Sequence, residues 1–287
     1  MLNSIKKIYQ SKLFNMGGFP VRQAFPNNDI EQVGPFLLLH HANISVNPNI
    51  PVLQSGVGPH PHRGFAPVTF IFEGGVHHRD SRGNNHVVYA GGIQWMNAGN
   101  GIIHSERPPA NIHEIGGKQE LIQLWVNVPK EHKRDTPTYF PLTAEETPTY
   151  LSEDGLAKIQ VVAGNILGIE GKAPALSPLN ALTIYLEENA TTSFNIPANH
   201  HSFLYVLGGN ITVNNTQVSS NELAVFNNDG TEINIKATAQ TKILFCSGEP
   251  INEPIVAHGP FVMNTETEIL EAIKDYQMGK MGVLIEE

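Results

Sequence analysis

Two short signatures carry the residues best suited to chemistry: His60-Pro61-His62 and His104-Ser105-Glu106, with 42 positions from His62 to His104. Within each, the donor residues are spaced i, i+2. Residues two apart in an extended strand project from the same face, so each signature can aim two side chains into one interior. Two such strands supply four converging ligands, His60, His62, His104 and Glu106. Three imidazoles and one carboxylate suit Fe(II), and also Mn, Ni, Cu or Zn, and disfavour Ca and Mg, which prefer oxygen shells. Four protein ligands leave an octahedral ion two open positions for a substrate oxygen or dioxygen, so Lewis-acid or redox chemistry is expected. One His-x-His alone is an ordinary turn feature. Two signatures flanked by glycines (Gly56, Gly58 and Gly64; Gly99 and Gly101) favour a metal centre, because glycine lets backbone approach closely.

The remaining histidine pairs, His40-His41, His77-His78 and His200-His201, are adjacent in sequence and would point to opposite faces of a strand, so they are not expected to chelate. His40 or His41 fits a place in the pocket wall or behind a ligand. Phe65 and Trp95 read as core.

The elements around the signatures are β-rich. Phe36-Leu37-Leu38-Leu39, Val68-Thr69-Phe70-Ile71-Phe72, His86-Val87-Val88-Tyr89 and Ile122-Gln123-Leu124-Trp125-Val126 are short runs separated by Gly and Asn, as in a sandwich or barrel. A second set follows: Ile159-Gln160-Val161-Val162, Leu182-Thr183-Ile184-Tyr185-Leu186, Phe203-Leu204-Tyr205-Val206-Leu207 and Ile243-Leu244-Phe245. The Pro- and Thr-rich stretch from Thr136 to Tyr150 reads as the linker. Expected domains are therefore residues 1–140, an N-terminal metal-binding barrel, and 141–287, a metal-free barrel with a C-terminal helix. Thr265-Glu266-Thr267-Glu268 opens that helix as a capping box; Ile269, Ile273 and Tyr276 follow at helical spacing until Gly279.

The halves partly superimpose by hand. Thr69 to Val76 runs parallel to Leu204 to Ile211, and Trp95 to Ala98 to Val225 to Asn228, as two copies of one barrel. In the same ungapped frames His60, His62, His104 and Glu106 fall opposite Asn195, Pro197, Asn234 and Lys236, which make no metal site.

Composition sets outer limits. The 287 residues exceed one compact core, and 40% hydrophobic with 16% charged residues describes a globular chain. Twenty-seven acidic against eighteen basic residues give −9, the wrong sign for nucleic acid. The single cysteine, Cys246, sits in an apolar run as a buried thiol and permits no internal disulfide. With no secretory leader pattern and no run of membrane-spanning length, a soluble cytoplasmic protein is expected.

Pro59-His60-Pro61-His62-Arg63-Gly64-Phe65, then Phe72-Glu73-Gly74, then Gln94 through Glu106 resemble the pirin family of the cupin superfamily. The likeness continues at Gly34-Pro35-Phe36 upstream and at Gly248-Glu249-Pro250 and His258-Gly259-Pro260-Phe261 downstream. It implies an all-β bicupin, two tandem cupin barrels, with one iron in the first held at His60, His62, His104 and Glu106. It further implies a quercetin 2,3-dioxygenase-like activity, opening a flavonol with dioxygen and releasing carbon monoxide, with Glu106 as base. The alternative it carries is an iron-dependent, redox-responsive protein-interaction or transcription-coregulator module without turnover. One departure stands out: the family often has Glu directly after Arg-Gly-Phe, and this chain has Ala66.

Overall fold

The computed structural model describes residues 1–16 and 18–286. The chain forms two compact β units. One comprises Met1–Leu13, Arg22–Leu39 and Glu145–Pro250; the other comprises Phe14–Val21, His40–Ala144 and Ile251–Glu287.

Both units are built from one plan, a seven-stranded sheet with a four-stranded partner. The large sheet that carries most of the signature-bearing unit runs Thr138–Leu142, Ile93–Asn97, Phe65–Glu73, Lys118–Asn127, Phe36–Ser45, Phe19–Phe25, Lys12–Met16, and the last three strands are each divided between the units, after Leu39, Val21 and Leu13. The small sheet of the signature-bearing unit runs Val57–His62, Ile102–Arg107, Gly75–Asp80, Asn85–Tyr89. In the other unit the large sheet runs Ile5–Gln10, Glu222–Phe226, His201–Gly208, Thr241–Gly248, Leu179–Leu186, Ala157–Ala163, Thr149–Leu151. Thr191–Asn195, Glu232–Ala237, Asn210–Val213 and Thr216–Ser219 make its small sheet.

Strand registers make the repeat explicit. Val68 lies opposite Trp95 and Thr69 opposite Gln94, as Phe203 lies opposite Val225 and Leu204 opposite Ala224. Gly74 and Gly209 both take the left-handed conformation that turns the large sheet into the small one, with φ of +76° and +88°. At each, an added Cβ would lie under 2.5 Å from a backbone oxygen, of Lys118 or Gln240.

Neither unit is one continuous segment of the chain. Ile5–Gln10 pairs with Glu222–Phe226, and Ile5 and Ile8 pack on the core of the unit formed mainly by the C-terminal half. The helix Glu266–Gln277 goes the other way: its Ile269 and Ala272 pack with Phe261, Met263 and Met281 in the signature-bearing unit. Periodicity marks a strand or helix but carries no record of which of two similar barrels its apolar face will cover. The expected linker is also shorter than Thr136 to Tyr150, because Thr138–Leu142 pairs with Ile93–Asn97 and Thr149–Leu151 with Ala157–Ala163.

The capping box forms as its chemistry dictates. Thr265 Oγ1 accepts from the Glu268 amide and the Glu268 carboxylate accepts from the Asn264 amide; Gly279, at φ +72°, follows the C-cap Met278. Among the described residues no helix is long and apolar enough to cross a membrane.

Candidate metal centre

The signatures lie on neighbouring antiparallel strands, with His104 opposite His60 and Ile102 opposite His62. Alternation then places the imidazoles on one inward face. The ligand atoms of His60, His62 and His104 all lie within 4.8 Å of one another. The ring centroids of His60 and His104 are 4.3 Å apart and those of His62 and His104 are 5.0 Å apart. Three imidazoles this close are stable as neutral rings, and burial drives the His62 and His104 pKa values well below the usual 6.5, the neighbouring imidazoles adding to the effect. His60 is lowered too, by burial, with the Gly58 carbonyl and the Glu106 charge acting against it.

Hydrogen bonds orient the donors. His60 Nδ1 meets the Gly58 carbonyl at 2.8 Å and His62 Nδ1 meets the Pro260 carbonyl at 3.4 Å. A carbonyl only accepts, so each Nδ1 carries the hydrogen and each Nε2 keeps its lone pair. The Nε2 atoms of His62 and His104 are buried with no hydrogen-bond partner. A buried acceptor left bare costs about 1–3 kcal/mol. A divalent ion seated among the Nε2 atoms removes that cost, so the residues present fit a metal.

Glu106 lies on the same strand two residues on, lining the same cavity as His60 and His62. It stands outside the tight imidazole group. Its carboxylate is held from the large sheet: Thr69 Oγ1 donates to Oε1 at 2.6 Å and Gln123 Nε2 to Oε2 at 2.7 Å. A carboxylate has about four lone-pair sites, so each oxygen retains one for an ion or a substrate hydroxyl. Thr69 and Gln123 face each other across the Phe65–Glu73 and Lys118–Asn127 ladder, a pairing invisible before those strands are placed.

The cavity above the imidazoles has a volume of about 750 Å³ and mostly apolar walls, among them Ile44, Val46, Val57, Leu121 and Trp125. Phe65 and Trp125 pack together beside His62, with ring centroids 4.3 Å apart and Phe65 fully buried. Trp95 is core. His40 lines the wall, its pKa lowered to about 4 by burial, and His41 turns to Glu120 at 3.4 Å. His78, not expected to chelate, places Nδ1 3.5 Å from His104 Nδ1.

The second barrel shows what the same positions become without ligands. Ile211 pairs with Ala237 and Val213 with Ile235, as Glu106 pairs with His78, so the equivalents of His104 and Glu106 are Ile233 and Ile235. Phe194 opposite Ile233 then matches His60, and Ile196 matches His62. All four are buried hydrocarbon, and the residues matching Thr69 and Gln123 are Leu204 and Phe245, also buried. The ungapped frames put Asn195, Pro197, Asn234 and Lys236 at these places. They are one residue out, which in a strand exchanges the inward face for the outward one; Asn234 and Lys236 lie at a surface pocket.

The Pirin family model matches residues 18–126, and the pirin C-terminal cupin domain matches 181–282. A Pseudomonas aeruginosa protein provisionally named a quercetin 2,3-dioxygenase is 36% identical over 265 residues, 92% of each chain. Pirin-like protein 2 of Arabidopsis thaliana is 34% identical, over 97% of this chain and 85% of its own length. The solved structure of a quercetin 2,3-dioxygenase from Acinetobacter baumannii is 35% identical with a TM-score of 0.92, covering 99% of this chain and all of that one. Agreement in both halves, in sequence and in backbone, makes the chain a member of the pirin family, built from two cupin domains.

Proposed function

We propose that this pirin is a metal-dependent dioxygenase acting on a flavonol such as quercetin or a related enol, with one divalent ion, iron, held in the first barrel by His60, His62, His104 and Glu106. The observation that carries the reading is the set of three inward-facing imidazoles, two of them with bare Nε2 atoms, beside a tethered carboxylate, at the base of an apolar cavity. The names of the similar Pseudomonas and Acinetobacter proteins support the same chemistry.

A bound divalent ion supplies a Lewis acid for an enol oxygen and an electron source for dioxygen. The chain supplies the rest. Glu106 accepts the enol proton, its carboxylate aimed by Thr69 and Gln123 so that little reorganisation is needed as the proton moves. Ile44, Val57, Leu121 and Trp125 hold a planar ring and keep water from the reacting carbons. His40, left uncharged by burial, adds a polar edge to the wall without adding charge. With Ala66 where relatives often carry Glu, Glu106 serves as both ligand and base.

The test is oxygen uptake with quercetin by protein loaded anaerobically with Fe(II). Uptake is expected in the wild type, absent in His62→Ala for want of metal, and absent in Glu106→Gln although that variant retains more metal than His60→Ala. Full uptake by Glu106→Gln would remove its role as base. No uptake by wild type shown to hold one iron per chain would end the flavonol reading and favour a redox-responsive interaction module.

A further inference from the structure

Behind His104 lies a chain of side chains that the proposed reaction does not use. His104 Nδ1 faces His78 Nδ1 at 3.5 Å, and His78 Nε2 faces Asp80 Oδ2 at 3.0 Å. All three residues are buried, with exposures of 1–3%. Tyr139 stacks flat on the His78 ring, with centroids 3.9 Å apart and planes 8° from parallel, which fixes the plane of that imidazole. The strands enforce the meeting: His104 lies opposite Asp80 and Glu106 opposite His78 in one antiparallel pair.

The hydrogens in this chain have one consistent assignment. The Asp80 carboxylate accepts, so His78 places its hydrogen on Nε2. His78 Nδ1 is then an acceptor, and the contact with His104 requires the hydrogen on His104 Nδ1. That leaves the lone pair of His104 on Nε2, the buried atom that has no protein partner. His60 and His62 reach the same state through backbone carbonyls; His104 alone reaches it through another imidazole.

We propose that His78 and Asp80 are positioning residues for the metal centre, a two-step relay in which Asp80 sets the tautomer of His78 and His78 sets that of His104. The inference deepens the metal-site reading and rests on it for its consequence. Asp80 is itself immobilised: Oδ1 accepts from the backbone amides of Arg82 at 2.9 Å and Asn84 at 3.1 Å, and Oδ2 also accepts from Asn84 Nδ2 at 2.8 Å.

Those backbone amides make Asp80→Asn a directed perturbation. They hold the remaining carbonyl oxygen at the Oδ1 place, so the new NH₂ group faces His78 Nε2. Donor against donor is resolved by inverting the relay. His78 then accepts at Nε2 and donates from Nδ1, His104 Nδ1 becomes the acceptor, and the His104 hydrogen moves to Nε2, where it blocks the metal lone pair.

The experiment has two readouts on the full chain. Co(II) affinity, followed by its visible absorption against a competing chelator, is expected to fall roughly 10- to 100-fold in Asp80→Asn, the range for removing a partner behind a ligand. In His78→Phe, which keeps a ring against Tyr139 but no nitrogen, adding Asp80→Asn is expected to change affinity no further. Nitrogen-15 NMR of the metal-free protein is expected to show the His104 hydrogen on Nδ1 in the wild type and on Nε2 in Asp80→Asn. Unchanged Co(II) affinity in Asp80→Asn, an equal loss in the His78→Phe background, or a wild-type His104 with its hydrogen on Nε2 would each overturn the relay. Failure of the wild type to take up Co(II) overturns the metal reading instead, and the NMR tautomers still decide the relay.

Discussion

Thr69→Val isolates what tethers the carboxylate. The Thr69 hydroxyl donates to Glu106 Oε1 at 2.6 Å, and its side chain lies in a wall with 5% residue exposure. A hydrogen bond to a charged group is worth about 1.5–3 kcal/mol. Glu106 borders an open cavity where water can partly replace the hydroxyl, so the expected cost of Thr69→Val is near the lower end, about 1.5 kcal/mol. In a Glu106→Leu background the same substitution removes no bond and places methyl against hydrocarbon, so its expected cost is about zero. The second barrel already has this apolar combination, with Leu204, Phe245 and Ile235 at the places of Thr69, Gln123 and Glu106. The assay is guanidinium unfolding of metal-free protein for the four members of the cycle, with the coupling taken as the difference between the two Thr69→Val effects. A coupling within about 0.3 kcal/mol of zero refutes the idea that Thr69 positions the carboxylate.

Three further outcomes follow from the same contacts. Gly64→Ala places a Cβ 2.1 Å from the Val262 carbonyl oxygen at a φ of +84°, so it should cost at least about 2 kcal/mol in thermal unfolding and loosen His62 enough to lower metal retention. His40 is neutral when folded, with a pKa of about 4 against 6.5 when unfolded, so the unfolded chain binds more protons between those values. Stability from this group is therefore intact above pH 6.5 and declines by up to about 3 kcal/mol as pH falls to 4; His40→Gln should flatten that part of the unfolding profile. Thr265→Ala removes the cap on the C-terminal helix and should cost about 1 kcal/mol, read from unfolding of the unit that the helix covers.

The convergence of His60, His62 and His104 is legible because i, i+2 spacing is a local property and needs only strand geometry. Their supports are not. Thr69, Gln123 and Tyr139 look like ordinary strand residues until distant strands are paired, and an adjacent pair such as His77-His78, whose side chains diverge, gives no sign that His78 alone meets His104. The repeat was visible at Gly74 and Gly209, where a left-handed turn demands glycine, yet the hand alignment slipped by one residue in the turns beyond. That slip put the outward Asn195, Pro197, Asn234 and Lys236 in place of the inward Phe194, Ile196, Ile233 and Ile235. Helix capping was readable from Thr265 to Glu268; the surface the helix would cover was not, since Ile269 and Ala272 fit any apolar groove.

The crossing of the chain between its two units has a consequence for biosynthesis. A ribosome delivers the His60 and His104 strands early, but the carbonyl that orients His62 belongs to Pro260, 198 residues further along, and the Asp275 carboxylate that pairs with Arg63 lies 212 residues away. Ile5–Gln10 waits for Glu222–Phe226 before it has a neighbour. The nascent chain therefore holds an unfinished signature-bearing unit until Ile251–Glu287 has emerged. Contacts this distant in sequence slow folding and prolong exposure of open strand edges. Chaperone demand should persist until that segment is made, with the orienting of His62 by Pro260 among the late events of folding.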